Sequence, residues 1–286
     1  MKFIKMHGAG NDYIYVNGFL ETIENPEQVA ISISDRHFGV GGDGLVLILP
    51  SNAADFRMQM FNADGSEGKM CGNAIRCVGK FVYDGGMTTK TDISIETLSG
   101  IKHVSLKIVG GSAVSARVNM GKPEFVPSLI PVLCDCETAF DFPINVHSKL
   151  LPERTFFVNC VSMGNPHAVI FLLDDEELSD ELVLGYGPLI EKHPAFPDRI
   201  NVEFVKVIDE STLRMRVFER GSGETLACGT GACAVAVTAK TKGIVSSESK
   251  IDVLLTGGTL QIEYLEDGTV YMTGPAVKVF EGEIEI

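Results

Sequence analysis

Two cysteines, Cys71 and Cys228, stand 157 positions apart, each followed at once by a glycine and then by a segment that reads as a helix: MCGNAIRC at 70–77 and ACGTGACA at 227–234. A helix start carries unpaired backbone N–H groups and partial positive charge, so a thiol placed there is expected to have a depressed pKa. A pair of such thiols suits one kind of chemistry in particular. One thiolate removes an acidic proton from a carbon, and a thiol on the opposite face returns another, inverting the centre. The carbanion next to a carboxylate needs help, which the backbone N–H groups after each cysteine, at Gly72, Asn73, Gly229 and Thr230, are placed to give. Each preorganised donor of this kind can be worth roughly 3–4 kcal/mol, and glycine after the cysteine leaves room for close approach.

The elements that position these cysteines repeat. FRMQMFNADGSEGKMCGNAIRC at 56–77 lies on LRMRVFERGSGETLACGTGACA at 213–234 without a gap, matching Arg57 to Arg214, Met58 to Met215, Phe61 to Phe218 and Cys71 to Cys228. In each copy an alternating strand leads through a glycine-bearing loop to the Cys-Gly helix start. Upstream, GAGNDYIYVN at 8–17 echoes SMGNPHAVIF at 162–171, which sets Asn11 against Asn165. Stretches such as 91–120 and 250–274 alternate apolar and polar residues between glycine turns, the pattern of hairpin strands. The fold class expected is α+β: two pseudo-symmetric, strand-rich domains, each with a central helix starting at its cysteine. Proline and glycine punctuation places the halves at 1–123 and 124–274, with the strand at 275–286 returning to complete the first and the active site in the cleft between them.

Composition narrows the partners. The 286 residues carry 24 basic and 38 acidic side chains, a formal charge of -14 that repels nucleic acid and anionic lipid surfaces. No apolar run approaches the ~20 residues of a membrane span, and the N-terminus does not read as a signal peptide. Seven cysteines without framework spacing read as free thiols in a reducing, cytoplasmic compartment. Cys134 and Cys136, with one residue between them, make a poor corner for tetrahedral zinc. With Cys77, Cys160 and Cys233 they read as structural or incidental. GSEGKM at 65–70 lacks the first glycine and the hydroxyl of a phosphate loop, and GSGETLACGTG lacks dinucleotide spacing.

Five segments together, GAGNDYIYV, FNADGSEGKMCGNAIRC, VSMGNPHAVIF, RINVEFV and VFERGSGETLACGTGACA, resemble the diaminopimelate epimerases in content and order. The resemblance implies a cofactor-independent and metal-free enzyme, often a homodimer. Such an enzyme interconverts LL- and meso-diaminopimelate on the route to lysine and peptidoglycan, with Cys71 and Cys228 as its two bases. It further implies substrate contacts from Asn11, Asn62, Asn73, Asn165, Asn201, Glu219, Arg220 and Thr230, with Gly72 and Gly229 acting through their backbones. His167 and Glu219 would tune the thiols. Arg220 suits a distal carboxylate gripped bidentately, and Glu219 and the asparagine carbonyls suit ammonium groups. Gly44 stands where some relatives carry glutamine, and 124–156 matches nothing in the family pattern.

Taken singly, Asn11 and Asn165 are turn residues, and Glu219–Arg220 is a surface ion pair of little worth. Their joint occurrence beside a duplicated cysteine motif reverses that. The nearest rival is a proline or hydroxyproline racemase, which would show a histidine after MCG and an aspartate before the second cysteine. A rival of another class is a thiol redox or metal-binding protein, but the chain contains no C-x-x-C.

Overall fold

The computed structural model describes residues 1–246 and 250–286. They divide into two units, 1–119 with 273–286, and 120–272. The sequence places the changes of unit a little later, at 123/124 and 274/275. Strand β8 explains the first difference, because it runs on through Gly121 and the punctuating Lys-Pro follows its end.

The first unit contains β1 (Lys2–Gly8), β2 (Asn11–Asn17), helix α1 (Pro26–Ser34), β3 (Gly44–Leu49), β4 (Phe56–Asn62), β5 (Glu67–Gly68), helix α2 (Gly72–Asp84), β6 (Asp92–Thr97), β7 (Gly100–Val109) and most of β8 (Ser112–Gly121). Strand β1 pairs antiparallel with β2, and β2 parallel with β3. Strand β4 pairs antiparallel with β3 and β5 and parallel with β6, which pairs antiparallel with β7.

The second unit contains β9 (Phe142–Val146), β10 (Arg154–Ser162), β11 (Pro166–Phe171), helix α3 (Gly187–Glu191), β12 (Asn201–Asp209), β13 (Thr212–Glu219), β14 (Gly223–Thr225), helix α4 (Gly229–Thr241), β15 (Ile251–Leu255) and β16 (Gly258–Tyr264). The pairings β10–β11, β11–β12, β12–β13, β13–β14, β13–β15 and β15–β16 run antiparallel, parallel, antiparallel, antiparallel, parallel and antiparallel. This is the order of the first unit, so the sequence repeat is a repeat of topology. Strand β17 (Val270–Pro275) leads into β18 (Val277–Glu283), which pairs antiparallel with β1.

The apolar pattern explains which strands lie deepest. Strands β2 and β3 form a parallel pair with a continuous apolar run, as strands buried on both faces do, and Ile14, Val16, Leu45 and Leu47 pack with Ala30 and Ile33 of α1. In α4, Ala232 through Val237 are all buried, so this helix is apolar all round and lies inside its unit. Ala9 and Gly10 both have positive φ, at 56° and 87°, in the two-residue turn that delivers Asn11. A three-residue turn with Gly164 at φ 96° delivers Asn165. No helix among the described residues is long and apolar enough to cross a membrane.

One expectation fails here. Cys134 and Cys136 form a disulfide, leaving Cys71, Cys77, Cys160, Cys228 and Cys233 as free thiols. The loop between Ile130 and Ala139, both buried in the second core, folds tightly enough to bring Cα atoms two positions apart to 5.5 Å, within the range a disulfide spans.

Candidate active site

Each key cysteine caps its helix. Cys71 precedes α2 with extended backbone, and its sulfur accepts from the Ala74 N–H at 3.5 Å. Cys228 precedes α4 in the same way and accepts from the Gly231 N–H at 3.3 Å. A sulfur in the N-cap position takes up one of the orphan donors of the first turn.

In the first unit the Cys71 thiol also reaches Asn11 Oδ1 at 3.4 Å, and the Asn11 Nδ2 donates to Asp43 Oδ2 at 2.7 Å. Asp43 takes the Asp12 N–H and the Arg36 guanidinium as well, both at 3.1 Å. Asn62 lies close by on β4, bonded to Tyr13 and Ser66. Gly72 is buried. Asn73 is buried at the second position of α2. Its side chain turns inward, where Oδ1 accepts from Nη2 of Arg76 at 3.0 Å. Arg76 is wholly buried and needs acceptors, finding others at the Gly72 and Pro275 carbonyls.

In the second unit His167 is fully buried, with Nδ1 at 2.7 Å from Glu203 Oε1 and Nε2 at 3.0 Å from Asn165 Oδ1. Asn201 is also buried and spent on the backbone: Nδ2 donates to the Pro166 carbonyl at 2.9 Å, and Oδ1 accepts the Arg220 N–H at 2.9 Å. It therefore braces the turn carrying Arg220. The Arg220 side chain is exposed, with Nη1 on the Asp198 carbonyl at 3.1 Å. Thr225 donates its hydroxyl to Glu219, and the Thr230 hydroxyl lies 3.5 Å from the Cys228 sulfur. Gly229 is buried at the first position of α4.

The depressed pKa expected at a helix start does not hold for Cys228. Burial raises it well above the ordinary thiol value, and the carboxylates of Glu219 and Glu203 raise it further, against the smaller opposing effects of the Thr230 hydroxyl and the Gly231 N–H. Cys228 therefore rests as a thiol. Burial raises Glu219 too, opposed by the Thr225 hydroxyl.

Glu203 and Asp43 were missed by sequence reasoning, although both left signals. Glu203 is the lone charge in the run NVEFV of β12, whose first five residues are all buried, and a charge at such a position needs a partner. Asp43 directly precedes Gly44, where a Cβ would collide with the Phe61 carbonyl and crowd Tyr13. No side chain fits there on this backbone.

A duplicated strand-rich fold, each half carrying a Cys-Gly helix start, is shared with solved structures of low sequence identity. A probable proline racemase from Agrobacterium radiobacter superposes with a TM-score of 0.71 at 14% identity, over 100% of this chain and 93% of that one. A PhzF-family phenazine biosynthesis protein from Bacillus anthracis gives 0.69 at 17%, over 100% and 99%. Within that fold the match is narrow. The family model described as diaminopimelate epimerase covers residues 3–126 and 159–279. Diaminopimelate epimerases of Acetivibrio thermocellus and Methanococcus maripaludis are 57% and 54% identical over the whole of this chain and at least 99% of their own length. This chain belongs to the diaminopimelate epimerase family. The family match leaves out 127–158, the stretch that holds the disulfide.

Proposed function

We propose that this protein is an isomerase that interconverts LL- and meso-diaminopimelate in the pathway to lysine and peptidoglycan, using Cys71 and Cys228 as a two-base pair. The observation that carries the reading is the duplicated N-cap thiol, two sulfurs each seated on the first turn of a helix, in a chain more than half identical to epimerases over its full length.

Cys228 rests as a thiol, the form that donates a proton, and Cys71, whose S–H faces the Asn11 amide oxygen, becomes the opposing base on giving that proton up. After one turnover the roles exchange. N–H groups of the two helix starts, at Gly72, Asn73, Gly229 and Thr230, receive the carboxylate of the reacting centre and the charge that spreads onto it. Asn11, Asn62 and Asn165 hold the polar groups of the substrate. Glu219 takes an ammonium group, and the exposed guanidinium of Arg220 takes the distal carboxylate. Reaction at one centre with the other held by fixed groups requires the two thiols to address opposite faces of one carbon. A cytoplasmic homodimer completes the reading, and the exposed apolar side chains of Val277, Val279 and Phe280 on β18 support the pairing of subunits.

Cofactor-free exchange of the α-hydrogen in deuterated water tests the assignment. Diaminopimelate should acquire deuterium and proline should not. Exchange into proline, or none into diaminopimelate, would overturn it.

A further inference from the structure

Glu203 is wholly inside its unit, and its Oε2 has no hydrogen-bond partner among the described residues, so its one bonded oxygen is the one facing His167. An ionised carboxylate only accepts, so the ring nitrogen 2.7 Å away, Nδ1, carries a proton. The amide oxygen of Asn165 also only accepts, so Nε2, 3.0 Å from it, carries the second. Both contacts are satisfied at once by a doubly protonated ring with the buried carboxylate as its counter-ion. The pair lies against the start of α4. A Cβ on Gly231 would stand 2.7 Å from Glu203 Oε1, and the N–H of the same glycine caps the Cys228 sulfur.

The counterpart of Asn165 in the repeat, Asn11, is held the other way round. The Asp43 carboxylate takes its Nδ2, which leaves Oδ1 turned to the Cys71 thiol. Two asparagines at equivalent positions thus have their amides poled in opposite senses by different partners. We propose that Glu203 is a positioning residue that, through His167, locks the Asn165 amide with its oxygen inward, so that Asn165 presents N–H donors to a substrate carboxylate where Asn11 presents an oxygen. This deepens the epimerase reading and rests on it for the identity of the carboxylate. A substrate carrying both charges at each end needs both kinds of amide face.

The isosteric, uncharged substitution Glu203→Gln removes the counter-ion. With the new amide's oxygen in the place of Oε1, the one remaining ring proton sits on Nδ1, Nε2 becomes an acceptor, and the Asn165 amide turns to donate to it. In wild-type protein, nitrogen–proton correlation spectra of His167 should show two ring N–H groups at neutral pH, and in Glu203→Gln one. For diaminopimelate, KM should rise roughly 10- to 100-fold, the size of a hydrogen bond to a charged group, with a smaller change in kcat. Asn165→Ala should cost a similar factor in the wild type and little more in the Glu203→Gln background, because the amide there is already turned away. Two ring N–H groups persisting in Glu203→Gln, or fully additive losses in the double variant, would overturn the proposal.

Should Glu203→Gln fail to fold, Asn165→Asp in the otherwise unchanged protein decides. It should bind diaminopimelate far more weakly, since carboxylate would face carboxylate. Unchanged or tighter binding would mean that Asn165 works as an acceptor, and the proposal falls. The ring spectra need no turnover, so failure of the wild-type protein to epimerise diaminopimelate would refute the functional reading separately.

Discussion

The side-chain oxygen of Asn11 lies 3.4 Å from the Cys71 sulfur and faces its thiol. Asp43 holds the amide in that orientation from behind. Asp43→Ala should therefore release the Asn11 amide and lower kcat/KM roughly tenfold to a hundredfold, the worth of a hydrogen bond to a charged group. Steady-state kinetics beside a thermal melt checks this. Unchanged kcat/KM would mean that the amide needs no such support.

Gly44 gives a second expectation, about stability. A Cβ there meets the Phe61 carbonyl, which is backbone and cannot swing aside. Gly44→Ala should cost at least the ~1–3 kcal/mol typical of overpacking, read as a lower urea midpoint with unchanged slope. A midpoint within error of wild type would show that β3 and β4 can separate freely.

Alkaline pH should weaken the fold through Cys77. Burial pushes this thiol from its ordinary 9.0 to about 11, opposed by the charge of Arg76 and a hydrogen bond with Tyr15. The unfolded chain then loses its proton first. The stability Cys77 contributes is complete below pH 9.0 and drains away up to about pH 11, by about 3 kcal/mol in all. Urea titrations at intervals across that range should show the fall, and Cys77→Ala, whatever its starting stability, should show a shallower one. Equal slopes in the two proteins would contradict the assignment.

The disulfide makes a count. Alkylation of the unfolded protein without reductant should modify five cysteines, and with reductant all seven, the two gained being Cys134 and Cys136. Seven in both conditions would mean that the bond does not form in the isolated protein.

Much of this molecule is readable from its residues, for reasons that differ from part to part. The repeat was legible because a strand, a loop and a Cys-Gly helix start survive in both copies with one spacing, and the strand alternation around it is local. Cys71 and Cys228 stand out for the same reason. The inward turn of Asn73 was not legible, because it depends on Arg76 being buried by strands far away in sequence. Nor was the raised pKa of Cys228, which the helix start alone would lower. Burial and two acids, Glu203 from β12 and Glu219 from β13, outweigh that local effect only once the chain has folded. The pairing of Cys134 with Cys136 lies in a loop outside the family match, where neither periodicity nor repeat offers guidance.

The two-base claim is tested most directly by following where deuterium first appears when LL-diaminopimelate turns over in deuterated water. With separate acid and base, the proton removed by one thiol is not the one delivered by the other. In the earliest fraction of reaction, the meso product should carry deuterium at its inverted centre while recovered LL substrate carries none. Cys71→Ala and Cys228→Ala should each abolish conversion. Deuterium entering recovered substrate as fast as product, or conversion surviving the loss of either thiol, would contradict the account.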